Sequence, residues 1–152
     1  MTIYTLDFEE CLKNFKEYHI SLKKVNEEKE KFTKEVENIK KEMESIINQS
    51  RSFLLDDATK KSSAMKFQEL QEKAIRLESD FRSTIVDMQN SEVEKNFNSL
   101  NEIINKWADQ LDIDIILNKT QVIFSKISFD VTSEFIQIMK DREIYEEFSE
   151  KY

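Results

Sequence analysis

The chain has 152 residues, a formal net charge of −8, and neither glycine nor proline. Loops and tight turns usually recruit those two residues for particular dihedrals, so their absence points to long uninterrupted helices with few turns. A glycine-rich phosphate loop is excluded, and a single cysteine excludes an intrachain disulfide or a zinc cluster.

Hydrophobic residues make up 39% and charged residues 36%, polar for a compact globular domain but normal for an elongated helical one. Eleven phenylalanines, four tyrosines and one tryptophan, mostly at regular spacing, argue against disorder. The charge is uneven. Residues 1–20 carry −2, 21–50 carry 0, 51–66 carry +2 and 67–152 carry −8, counted along the chain. The acidic half argues against phosphate-backbone binding, so no specific nucleic acid is expected as a partner. No apolar run is long enough to span a membrane.

Residues 2–6 are β-branched and aromatic and predict a short strand. Asp7 is placed to cap a short helix through Phe8, Leu12 and Phe15, with Glu9 and Glu10 in its first turn. Cys11 has Phe8, Leu12 and Phe15 at helical spacing and reads as a packed thiol. A bend is expected near residues 18–21. From Leu22 a heptad pattern runs through Val25, Phe32, Ile39, Ile46 and Phe53, with Leu22, Lys29, Val36, Met43 and Ser50 in the second seam position. The opposite face carries the pairs Glu27–Lys31, Glu30–Lys34 and Glu37–Lys41 in the favourable order. Residues 22–54 span roughly 48 Å as a helix.

The pattern weakens across 51–63, which places the tip of a helical hairpin at about 54–63, with Asp56, Asp57 or Ser62 as caps for the returning helix. That helix has the stripe Phe67, Leu70, Ala74, Leu77, Phe81, Thr84 and Met88. The apolar series then changes phase, to Val86, Val93, Leu100 and Trp107 in one position and Asn90, Phe97, Ile104 and Leu111 in the other. Trp107 reads as core. Residues 113–118 alternate and predict a strand, a turn at 118–120 leads to a second strand at 121–125, and together they predict a β-hairpin, to which the N-terminal strand adds a third strand. Asp130 is placed to cap a helix with Val131, Phe135, Ile138 and Met139, and an acidic tail with Ile144, Tyr145 and Phe148 at helical spacing follows from residue 141.

The order of these features resembles the OmpH/Skp family of trimeric periplasmic chaperones. The resemblance rests on residues 112–125, an acidic-hydrophobic strand followed by a turn and Val122, Ile123 and Phe124. It continues in Asp130-Val131-Thr132 at a helix start, and in Ile3 to Asp7 with Phe15 beyond it. It covers roughly residues 2–139. It implies three subunits joined through a small β-rich body, with helical hairpins around a cavity that holds unfolded outer-membrane proteins without ATP. The body is then residues 1–21 with 108–140, and the arm 22–107. Ile3, Leu6, Ile113, Ile115, Leu117, Val122 and Phe124 support the body. The sequence departs from the family in its acidic charge, in its added tail, and in Asp112, where the family commonly has glycine. No signal peptide opens the sequence, so the expected compartment is the periplasm if an upstream segment was removed and the cytoplasm otherwise.

No constellation demands catalysis. His19 is the only histidine and has no ligand cluster around it in sequence. Acidic pairs such as Glu9–Glu10 and Asp56–Asp57 suit helix ends or solvent. The expected fold class is α+β and predominantly helical: a small β-rich trimerisation body with a long antiparallel coiled-coil arm. The expected function is a holdase without cofactor, assembled as a homotrimer around unfolded polypeptide clients. Candidate client contacts beside the seams or near the tip are Ile47, Phe53, Leu54, Leu55, Met65 and Ile85, with Arg51, Lys60, Lys61 and Lys66 giving the tip its positive charge. The alternative is a structural adaptor that holds one folded partner.

Overall fold

The computed structural model describes residues 1–51 and 55–151. In chain order it contains strand β1 (Ile3–Leu6), helices α1 (Phe8–Lys13), α2 (Lys16–Ser50) and α3 (Asp57–Gln110), strand β2 (Ile115–Asn118), and helix α4 (Thr132–Lys151). Short 3-10 turns at Lys119–Gln121 and Ile127–Phe129 lie between β2 and α4. The fold is mostly helical, with two long helices and one small sheet. It divides into two compact units, residues 1–23 with 91–152, and residues 24–90.

The first unit has the thicker core. Leu6, Cys11, Phe15, Leu100, Ile104, Trp107, Phe135 and Met139 form one buried cluster drawn from β1, α1, α3 and α4, with Phe15 just before α2. Burying a leucine, phenylalanine or methionine fully stabilises a fold by roughly 1.5–3 kcal/mol each, and Leu100, Phe135 and Met139 are all fully buried here. The Trp107 and Phe135 rings meet at 5.2 Å between centroids.

Both strands belong to this unit and pair in parallel, Ile3 with Ile115 through Leu6 with Asn118. The hairpin expected at 113–125 is therefore corrected. Residues 121–125 contain no strand. An isolated two-stranded hairpin is marginal in water. The place beside β2 goes instead to β1, whose Leu6 reaches the core. On its other side β1 makes a single bridge from Thr5 to Asp130. Val131 donates its N–H to the Thr5 carbonyl at 2.9 Å.

Helix ends are set by residues near and far. Asp7 accepts the Glu10 N–H at 3.1 Å and starts α1. The break before α2 falls at Asn14 and Phe15, so the bend expected at 18–21 lies inside the helix. Phe15 offers no capping oxygen, and the first α2 amide, Lys16 N–H, is met by Glu143 of α4 at 2.9 Å. The connection between α2 and α3 occupies residues 51–56, and residues 57–63 of the expected tip are the first turns of α3. Asp56 caps that helix by accepting the Thr59 N–H at 2.7 Å.

Helix α3 ends in a Schellman arrangement: Ile113 N–H reaches the Ala108 carbonyl and Asp112 N–H the Asp109 carbonyl. Asp112 has φ of 53°, the only positive value among the described residues. The position at which the resembled family commonly has glycine is thus one whose backbone favours it. Past residue 141 the chain extends α4.

The α3 seam leaves the heptad register after Phe81, but onto Ile85 rather than Val86, and Thr84 of the expected stripe is exposed. Its buried positions run Leu70, Ile85, Glu92, Asn96, Leu100, Ile104 and Trp107, while Val86, Val93 and Phe97 are exposed. The same holds on α2, where Ser21 is buried and Leu22 exposed. At this level the seam is polar. Ser21 Oγ donates to Glu92 Oε2 at 2.6 Å, and Asn96 Nδ2 donates to Ser21 Oγ at 3.0 Å.

Candidate interaction surfaces

In the first unit the segment that follows β2 carries the most exposed apolar groups. Asn118 accepts the Thr120 N–H through its side chain and turns the chain into the 3-10 turn. Lys119 then reaches Asp130 at 2.6 Å. Asp130 also accepts the Thr132 N–H at 3.0 Å and the Thr132 hydroxyl, and Thr132 Oγ1 accepts the Asp7 N–H at 2.9 Å. The Asp130-Val131-Thr132 motif therefore ties β1, the post-β2 loop and the α4 start together. Burial raises the Asp130 pKa, but the Lys119 ammonium and the Thr132 donors outweigh it and hold the carboxyl below its usual value. The same contact pushes the Lys119 ammonium up.

Between these two anchors the chain presents Ile123, Phe124 and Ile127 at 105%, 80% and 90% of full exposure. Single exposed apolar residues are ordinary, but three large ones within five positions form a patch of the kind that interfaces cover. Of the residues expected to support the body, Leu6 is in the core of its own unit, and Ile3, Ile113 and Val122 are half-buried. Ile115 and Leu117 point outward from β2 and are exposed, as is Phe124. Ile123 and Ile127 were missed. Ile123 was read into the expected strand at 121–125, and Ile127 stands alone between polar residues, so neither was singled out.

The second unit has a thinner core, with Val25, Ile39, Leu70 and Ile85 buried. The Phe32 and Phe81 rings stack with centroids 3.8 Å apart and planes 6° from parallel. Ile47 and Met65 are exposed and Leu55 is half-buried. Ile85 is 7% exposed and lies in the seam, so its side chain offers no surface; its neighbour Val86 does. Phe53 and Leu54 lie outside the described residues. Lys60, Lys61 and Lys66 are exposed on the first turns of α3, and Arg51 in the preceding connection.

Cys11 is wholly buried. Burial pushes its thiol up to about 12, helped by the Asp7, Glu10 and Asp130 carboxylates. It is a packing group. His19 is exposed, with Nε2 against the Lys13 carbonyl at 2.6 Å. Among the described residues no group of three or more His, Cys, Asp or Glu could hold a metal ion, and no helix is long and apolar enough to cross a membrane.

These features define a helix-rich protein with exposed apolar side chains in both units. The profile of the family described as outer membrane protein (OmpH-like) matches residues 2–139, and the chain belongs to that family, whose members are non-catalytic chaperones. No curated protein matches the chain.

Proposed function

We propose that the protein is an ATP-independent holdase, a homotrimer whose 24–90 units form antiparallel hairpin arms around an unfolded client. The observation that carries this reading is the family match across residues 2–139. The connection of residues 51–56 between two long helices suits an antiparallel pair, and the Phe32–Phe81 stack supports pairing of those helices. Assembly through the first unit is supported by the exposure of Ile123, Phe124 and Ile127, together with that of Ile115 and Leu117 on β2. Ile47, Met65 and the basic tip side chains supply weak, dispersed contacts, which suit a client with no fixed surface. The periplasm, with clients of the outer-membrane type, is the compartment in which such a holdase acts.

The test is light scattering from an unfolded outer-membrane protein diluted out of denaturant, with and without the chaperone. Suppression of aggregation at a modest molar excess of trimer is expected. No suppression at any excess sinks the reading.

A further inference from the structure

The 24–90 unit contains a groove of about 190 Å³ whose apolar wall includes Phe32, Phe81 and Leu77. That is below the roughly 300–1,000 Å³ of small-molecule sites, and is room for a side chain. Glu28, Glu35 and Asp80 also line it, against one cation, Lys31. Lys31 lies 3.7 Å from Glu28, so that pair is locally balanced. The Glu35 and Asp80 carboxylates remain beside the aromatic pair.

The stacking geometry adds a second argument. The two rings lie nearly parallel, with centroids 3.8 Å apart. Ring quadrupoles attract a cation to a ring face. A planar guanidinium can lie on an aromatic surface while its N–H groups reach a carboxylate.

We propose that this groove binds an arginine side chain, flanked by aliphatic residues, on a nonnative polypeptide. The inference rests on the reading of residues 24–90 as the client-contacting unit, and it names the segments that unit prefers. The preference arises in the groove, because the unit as a whole is nearly neutral, with 13 Lys and Arg against 14 Asp and Glu.

The probe is a nine-residue peptide of three Leu-Ser-Arg repeats, compared with versions carrying Gln or Glu for Arg. Each is titrated into the full chain at low salt, with ring signals of Phe32 and Phe81 followed by NMR. The Arg peptide is expected to shift both rings and to bind roughly threefold to tenfold tighter than the Gln peptide, the range given by one or two partly exposed charge contacts. The double variant E35Q/D80N is expected to erase that difference. The variant E42Q/E44Q, which removes two carboxylates of the same unit outside the groove, is expected to keep it. Equal binding of the three peptides, unmoved Phe32 and Phe81 signals, or an equal loss in E42Q/E44Q overturns the proposal. Aggregation suppression without an Arg preference leaves the holdase reading standing and this inference failed. Loss of both removes both.

Discussion

Asp112 holds a backbone conformation that costs an L-residue roughly 1–2 kcal/mol, less for aspartate than for most others. Its carboxylate also sits at the negative end of α3. Asp112→Gly relieves both and is expected to raise stability by roughly 0.5–1 kcal/mol, read as a higher urea midpoint at unchanged slope. An unchanged or lower midpoint contradicts the strain argument. Cys11 makes a different prediction. Its folded thiol titrates near 12, well above its ordinary value of 9.0. A raised thiol pKa leaves stability intact below the unfolded value and erodes it as pH rises between the two values. The wild type should therefore lose stability between about pH 9 and 12, and Cys11→Ser should flatten that slope. The thiol should react with a disulfide reagent at pH 8 only at the rate of unfolding.

At the scale of elements, local signals were legible and distant partners were not. Asp7, Asp56 and Asp130 cap or brace helix starts as their spacing suggested, because such caps act within two or three residues. The α3 seam was misread over residues 86–97, because apolar residues were followed where the buried positions are Glu92 and Asn96, while Leu100, Ile104 and Trp107 of the same series are buried. A polar layer opposite Ser21 leaves no mark in a hydrophobic pattern. The β-hairpin was misread because alternation identifies a strand without identifying its neighbour. The start of α2 was invisible, since its cap comes from 127 residues away. That cap yields a prediction. Glu143→Ala should cost about 0.5–1 kcal/mol, with faster amide exchange at Lys16 and Glu17 but not at the far end of α2. Uniform protection along α2 would remove Glu143 from this role. The Lys119–Asp130 contact yields another. Asp130 has a depressed folded pKa, so its contribution is present above its unfolded value near 3.8 and is lost as pH falls through the folded value. Lys119→Met should move the Asp130 carboxyl titration, followed by carbon NMR, up toward the ordinary range. A midpoint that stays put would assign the shift to Thr132 alone.

At the scale of the molecule, the net charge misleads and its distribution informs. Residues 24–90 carry −1, and residues 1–23 with 91–152 carry −7, from 10 Lys and Arg against 17 Asp and Glu. The acidity by which the sequence departs from the resembled family is thus concentrated in the unit proposed for assembly. The arm expected at 22–107 gives up residues 91–107 to that unit, because Leu100, Ile104 and Trp107 pack in its core. The exposed patch beside this core gives the last prediction. Phe124 is 80% exposed, so Phe124→Glu should change the stability of an isolated subunit by no more than about 0.5 kcal/mol. If three copies bury the patch, unfolding is coupled to dissociation. Each tenfold rise in concentration then adds roughly 0.9 kcal/mol per protomer. For a chain of this length that raises Tm by roughly 2–4 °C per decade of concentration. Phe124→Glu should abolish the concentration dependence and reduce the solution mass to that of one chain, while the circular dichroism at low concentration matches the wild type. A wild-type Tm that ignores concentration, with a monomer mass, would show that the patch is not covered by copies of this chain, and the cavity would lose its basis.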